Sequence, residues 1–347
     1  MTMKRERIFY LDFIRAIAVI LILLTHYNAI FLYLNPQQLD KVVVTYKVCN
    51  LYIGDFGVAL FFIISGAALM YVYESKLELV KFYKKRFISL YPMFWIAWIC
   101  AFTVRFLLGE RMNASIPKVN FLYTILGFDS YVAGIKPTFY IVGEWFLGCI
   151  ILIYLVFPLL RWGINKRPVW TCGLLILLYL VGVFYYPTSL VKAELLFVRL
   201  PEFAFGMLFI KYFKKVKWSV AVISFVILIG NTLFAPPWNT NIQTTYVGIC
   251  AFLVLVFISN YAKCTVLEKF VQFISKYSYA IFLIHHVLFY RITSYFDLYH
   301  ITVMQSYLIF TVSVSLIMIL SVILNWFTNE VTKYSGKMFT MVIKKNN

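Results

Sequence analysis

Charged side chains are scarce in this sequence, and acidic ones are the scarcest. Aspartate, glutamate, lysine and arginine make up 13% of the 347 residues, with 14 acidic against 32 basic. A typical soluble domain has about twice that charged fraction. Apolar residues make up 63% of the chain, and no water-soluble fold hides that much apolar surface. This balance excludes a soluble protein and indicates that lipid is the solvent.

The sequence also lacks the alternation of apolar and polar residues that is typical of transmembrane β-strands. Its apolar stretches are continuous, and most approach the roughly 20 residues that an α-helix needs to cross a bilayer. We therefore predict an all-α, polytopic integral membrane protein with about ten transmembrane helices. The predicted spans are 8–34, 56–73, 87–108, 142–160, 169–186, 196–212, 218–234, 246–261, 277–297 and 302–328.

Pairs of cysteines at metal-ligand spacing are absent from the sequence. Its six cysteines are scattered and form no C-x-x-C pair, so the sequence predicts neither a disulfide framework nor a metal site. Internal repeats, low-complexity tracts and an appended soluble domain are not visible either. Residues 1–347 are therefore expected to form a single transmembrane domain.

The basic residues give a net charge of +18 but form no continuous basic patch, so nucleic acid is not an expected partner. They lie in the gaps between apolar runs and are concentrated in every second gap. Because cytoplasmic loops are rich in lysine and arginine, this placement predicts that both termini are cytoplasmic. Residues 114–142 could span, re-enter or lie on the membrane, and the downstream alternation favours a segment that does not span.

The first predicted span carries three polar side chains that the bilayer disfavours, Asp12, Arg15 and His26. Arg15 and His26 lie about 20° apart around a helix and about 16 Å apart along it. In a structural interpretation, Arg15 reaches the headgroups, Asp12 caps the helix or pairs with Arg15, and His26 hydrogen-bonds within the bundle. In a functional one, the imidazole takes a proton from a hydroxyl and the guanidinium holds a phosphate. Those are the two requirements of acyl-CoA chemistry.

Five stretches of the chain extend this functional interpretation. LDFIRAIA (11–18) is followed by His26, with ten residues between Arg15 and His26. The later stretches are GVALFFIISG (57–66), KKRFISLYP (84–92), RLPEFAFG (199–206) and YSYAIFLIHHVLF (277–289). In this order they resemble the motifs of the acyltransferase-3 family of membrane O-acyltransferases, of the type that acetylates bacterial surface polysaccharides. The resemblance covers nearly the whole chain and implies a multi-pass protein of the bacterial cytoplasmic membrane.

The resemblance implies that His26 is the general base or a transient acyl acceptor, and that Arg15 grips or orients the acyl donor. It implies that Arg86 helps to bind the negatively charged CoA, for which a guanidinium is suited. Lys85 and Ser65 are the further candidates for donor binding.

Each donor-binding candidate also has a structural interpretation. Arg86 and Lys85 could be ordinary cytoplasmic anchors. Ser65 and Gly66 could serve close helix packing. Asp12 is expected to pair with Arg15 or orient a neighbour, with a direct catalytic role as the alternative.

The chain departs from the family pattern in the fourth predicted span. Many relatives have a tryptophan followed by a glutamate there, whereas Glu144 precedes Trp145 in this chain. Whether Glu144 replaces the missing carboxylate is left open, and both residues are candidates for an acceptor site.

Three more candidates for an acceptor or second site come from the later motifs. Arg199 and Glu202 are three residues apart and could form a structural ion pair or contact substrate. His285 corresponds to a late histidine of the family and could equally hydrogen-bond across the bundle. His286 and Arg291 have no clear counterpart in the family pattern.

Taken with the polar residues of the first span, the resemblance implies transfer of an acyl group, most simply acetyl, from cytoplasmic acyl-CoA to a hydroxyl of a cell-surface or lipid-linked polysaccharide. The acyl-CoA is a co-substrate, and no bound cofactor is expected. The alternative is a transporter or flippase for a glycan or its precursor, although no half-repeat symmetry is visible. A third hypothesis is a receptor or scaffold that catalyses no reaction. The sequence has neither a histidine followed four residues later by an acidic residue nor a G-x-S-x-G elbow.

Overall fold

Helices account for nearly all of the secondary structure, as the sequence predicted. The computed structural model describes the backbone of residues 6–345 and the side chains up to residue 334. Across these residues there are two short strands, β1 (Lys47–Val48) and β2 (Leu51–Tyr52), paired antiparallel. The α-helices are α1 (Phe9–Leu32), α2 (Ile53–Tyr73), α3 (Leu79–Leu107), α4 (Phe121–Leu126), α5 (Asp129–Val132), α6 (Trp145–Lys166), α7 (Pro168–Leu180), α8 (Leu196–Leu208), α9 (Trp218–Phe234), α10 (Thr240–Ala262), α11 (Thr265–Thr293) and α12 (Val303–Lys345).

Each of the ten predicted spans coincides with a helix, but the helices differ in length and polarity. Within residues 6–345, seven helices are long and apolar enough to cross a membrane: α1, α2, α3, α6, α7 with its π-helical extension, α10 and α12. The other three coincident helices are α8, α9 and α11; α8 has 13 residues and α9 has 17. A multi-pass membrane protein is thereby supported. The count of ten spans and the cytoplasmic location of both termini stay predictions.

Several helices extend beyond the predicted span boundaries. α3 begins at Leu79, eight residues before the predicted start, and α11 begins at Thr265, twelve residues before it. The added turns carry the basic residues that were assigned to cytoplasmic loops. Because a helix satisfies its own backbone hydrogen bonds, it can continue past the apolar core while lysine and arginine side chains reach water.

Residues 114–142, all of which the structure describes, contain no helix longer than the six residues of α4. That length is far below the roughly 20 residues that a span requires. The segment packs beside α3, whose Trp95 Nε1 donates to the Ile125 carbonyl at 3.0 Å and whose Tyr91 hydroxyl donates to the Leu126 carbonyl at 3.0 Å. The segment therefore packs against the bundle and contains no helix long enough to span a membrane.

Two glycines bring the backbones of α2 and α8 into direct contact. A Cβ atom at Gly66 would lie 1.9 Å from the Phe203 carbonyl oxygen, and one at Gly206 would lie 1.9 Å from the Ile63 carbonyl oxygen. Small residues permit this close approach between membrane helices. The crossing fixes α2, which in turn packs against α1.

Helix α1 lies inside the bundle, between α2 and α11. Its C-terminal half is anchored by Tyr27, whose hydroxyl donates to the Ser306 carbonyl at 2.7 Å, and by Asn28, whose amide donates to the carbonyls of Val43 and Thr45 at 2.9 and 3.0 Å. The helix that carries Arg15 and His26 therefore faces protein on these sides.

Candidate active site

Arg15 and His26 border the same cavity, which has a volume of about 280 Å³. Ile22 lies between them on the same stripe of α1, as the helical period requires. The other lining residues come from α2, α3, α6 and α11 and from the residue before α6. They are Val58, Phe61, Ser65, Ser89, Leu90, Glu144, Trp145, Phe146, Leu147, Ile150, Tyr154, Ser278, Tyr279 and Phe282. The cavity thus connects a guanidinium at one end with an imidazole at the other.

A chain of hydrogen bonds holds Arg15 at its end of the cavity. Its Nη1 donates to the Ser275 hydroxyl at 3.0 Å, and that hydroxyl donates to the Asp12 carboxylate. Asp12 also accepts hydrogen bonds from Arg7 and lies 3.8 Å from Arg15. Asp12 is buried and does not border the cavity. Its position suits holding Arg15 in place better than touching a substrate.

Arg86 lies next to the cavity near the Arg15 end. Its guanidinium carbon is 5.6 Å from the centre of the Tyr154 ring, and Tyr154 borders the cavity. The Nε atom of Arg86 is buried and has no hydrogen-bond partner among the described residues. Lys85 is exposed and outside the cavity lining, whereas Ser65 borders the cavity.

At the other end, three of the chain's four histidines meet. The His26 ring centre is 4.7 Å from that of His285 and 5.4 Å from that of His286. His285 is fully buried, and its Nδ1 lies 2.8 Å from the Phe282 carbonyl and 3.2 Å from the Ile281 carbonyl of its own helix. Its hydrogen bonds therefore stay within α11 and do not cross the bundle.

Glu144 joins this cluster through Tyr140 and His286. The Tyr140 hydroxyl donates to Glu144 at 3.0 Å and lies 3.0 Å from His286 Nδ1, which is 3.3 Å from the Glu144 carboxylate. Sequence reasoning missed Tyr140 and gave His286 no role. The adjacent pair His285 and His286 could have indicated a role for His286. Two neighbouring side chains on a helix point about 100° apart, so the two histidines can contact different partners.

Arg199 and Glu202 form a buried ion pair behind the cavity wall. Arg199 Nη1 donates to both Glu202 carboxylate oxygens at 3.1 and 3.3 Å, and its Nη2 lies 3.9 Å from Asp55. The guanidinium stacks on the Trp145 ring at 5.6 Å. Neither Arg199 nor Glu202 borders the cavity, but Trp145 does. Asp55 was not predicted, although an aspartate beginning an apolar run was a visible signal.

A groove with both apolar and charged residues in its lining is on the far side of the histidine cluster from Arg15. It has a volume of about 390 Å³ and is bordered by Arg105, Glu110, Tyr140, His286 and Arg291 among other residues. Tyr140 and His286 therefore stand between this groove and Glu144, which borders the inner cavity.

Comparison with known proteins identifies the family. A family model described as an acyltransferase domain matches residues 8–326. Acyltransferase MdmB from Streptomyces mycarofaciens is 26% identical over 219 residues, which cover 54% of this chain and 55% of that relative. The aligned part thus spans about half the length of the curated relative, and no solved structure matches the chain. The predicted family is confirmed: the chain belongs to the acyltransferase-3 family.

Proposed function

We propose that the chain is a membrane O-acyltransferase of the bacterial cytoplasmic membrane. It transfers an acyl group, most simply acetyl, from cytoplasmic acyl-CoA to a hydroxyl of a cell-surface or lipid-linked polysaccharide. The observation that carries this proposal is the single cavity bordered by both Arg15 and His26. One helix thereby presents an anion-binding group and a base to the same space.

The donor approaches from the Arg15 end. Arg15 and Arg86 supply guanidinium groups, which hydrogen-bond phosphate oxygens in a planar, two-pronged geometry. The buried Nε of Arg86 has no hydrogen-bond acceptor among the described residues, and a bound phosphate would supply that acceptor. The predicted cytoplasmic location of this end matches the compartment in which acyl-CoA is found.

The acceptor approaches through the groove at the histidine end. His26 takes the proton of the acceptor hydroxyl as its oxygen attacks the thioester carbonyl. The new ester bond forms, the carbon–sulfur bond breaks, and His26 returns the proton to the departing thiolate. The products are an acylated sugar and free CoA. An alternative mechanism, in which His26 carries the acyl group for a short time before transfer to the sugar, would use the same cavity.

A direct test compares surface polysaccharide from cells with and without this protein by NMR. The proposal expects acyl signals to disappear when the protein is absent while the amount of polysaccharide is unchanged. A reduced amount of polymer with unchanged acylation would overturn the proposal and favour a glycan transporter.

A further inference from the structure

We infer that His26, Glu144 and His285 form a binding site for a divalent cation of the zinc type, and that its occupation blocks acyl transfer. The ligand atoms that these three side chains offer all lie within 4.8 Å of one another. They come from α1, from the residue before α6 and from α11, so no local spacing in the sequence could reveal the site. The inhibitory part of this inference rests on the proposed function, whereas the binding site does not.

His285 is the strongest indication of a ligand. Its Nδ1 faces two backbone carbonyls, so Nδ1 carries the proton and Nε2 keeps its lone pair. That Nε2 is buried and finds no hydrogen-bond partner in the described part of the chain. A buried, unpartnered polar atom is costly. Histidines that bind metals are held in this way, with the other ring nitrogen donating to a carbonyl.

Glu144 is also oriented as metal-binding carboxylates are. The Tyr140 hydroxyl donates to the Glu144 carboxylate, and His286 lies 3.3 Å from that carboxylate. These two contacts hold the carboxylate in position. Outer hydrogen bonds of this kind orient metal ligands. Glu144 and His26 both border the inner cavity, which leaves a position for water or an added ligand on that side.

The donor set selects the type of cation. Two imidazoles and one carboxylate suit zinc, whereas magnesium and calcium prefer oxygen ligands. Tetrahedral zinc with bonds of about 2.0–2.1 Å places its ligand atoms about 3.4 Å apart. The side chains would therefore close in by about 1.5 Å at most on binding.

Coordination would consume the lone pair of His26 that the proposed proton transfer requires. The cation is therefore expected to inhibit acyl transfer, and a chelator is expected to restore it. Glu144 and His285 would hold the cation beside the cavity, where the cation would also obstruct the acceptor hydroxyl.

The test is calorimetric titration of the purified, chelator-treated protein with Zn²⁺, with Mg²⁺ as the comparison. We expect one Zn²⁺ per chain and no Mg²⁺ binding, with affinity lowered about tenfold or more in Glu144→Gln and His285→Gln. His300→Ala is the matched control, because His300 is exposed in a loop beside Asp297 and should leave the site intact.

Absence of saturable Zn²⁺ binding, or equal affinity in the wild type and Glu144→Gln, would overturn the metal site. Glu144→Gln keeps the side-chain shape, so it decides the question even where His285→Gln fails to accumulate. The titration needs no acyl transfer and is decisive whether or not the proposed function holds. Zn²⁺ binding without loss of transfer would overturn the inhibitory part alone.

Discussion

At the scale of single residues, the site depends on how a membrane-embedded guanidinium is held. Arg15 donates a hydrogen bond to Ser275, and Ser275 donates one to Asp12. Asp12 is in turn paired with Arg7. A cation within a bilayer is costly unless it is paired or hydrated. This network supplies the pairing and still leaves Arg15 at the cavity surface.

Replacing Arg15 with lysine tests whether the planar group matters. The charge remains, but the two-pronged hydrogen bonding is lost, so we expect the KM for acyl-CoA to rise about tenfold. Lys85→Gln is the control, because Lys85 is exposed and outside the cavity lining, and it should change KM much less. An unchanged KM in Arg15→Lys, measured by steady-state transfer, would assign Arg15 a structural role.

Asp129 makes a prediction about stability and pH. Burial raises the pKa of Asp129 to about 6, although a hydrogen bond from Thr124 opposes this shift, and its Oδ2 has no partner among the residues described. The folded pKa exceeds the unfolded value of about 3.9, so this group stabilises the fold at low pH and the contribution is lost as pH rises through about 6.

Asp129→Asn is therefore expected to raise the melting temperature of the protein in detergent at pH 8 and to have little effect at pH 4. The gain follows from removing a buried charge that costs at most about 3 kcal/mol. Thermal unfolding of both forms at the two pH values measures it. A lower melting temperature for Asp129→Asn at pH 8 would show that the charged carboxylate has a favourable partner.

At the scale of helices, the crossing of α2 and α8 supports the cavity wall. Gly66→Ala would place a methyl group against the Phe203 carbonyl, so we expect α2 and α8 to separate and the melting temperature to fall by several degrees. Gly173→Ala is the matched control, because a Cβ there meets nothing within 4 Å. Equal melting temperatures for the two variants would contradict the close crossing.

The helical period also explains which part of the site the sequence could predict. Arg15 and His26 lie on one helix, so their separation around the axis follows from 3.6 residues per turn. The approach of Glu144 and His285 to His26 depends on the rotation and packing of three separate helices. No single-sequence pattern contains that information, and Tyr140 was missed for the same reason.

At the scale of the whole molecule, the ten predicted apolar runs are all helical, because apolar continuity alone indicates a helix in lipid. Helices α3 and α11 begin before the spans predicted within them, because basic amphipathic turns continue a helix without raising its hydropathy. The proposal that the Arg15 end of the cavity faces the cytoplasm depends on the distribution of lysine and arginine.

That placement makes a topological prediction. A fluorescent protein fused to the C-terminus should fluoresce, and alkaline phosphatase at the same position should be inactive, because both termini are expected inside. Phosphatase inserted near Asp297, between α11 and α12, should be active. The reverse pattern would invert the donor and acceptor ends of the site.

In the proposed mechanism, His26 takes the proton from the acceptor hydroxyl. The most direct measurement is the acylation of surface polysaccharide, by NMR, in cells whose only copy of the protein is His26→Gln or His300→Gln, at equal membrane levels. We expect at least a hundredfold loss of acylation in His26→Gln, roughly the contribution of a general base, and none in His300→Gln. Acylation at the wild-type level in His26→Gln would contradict it.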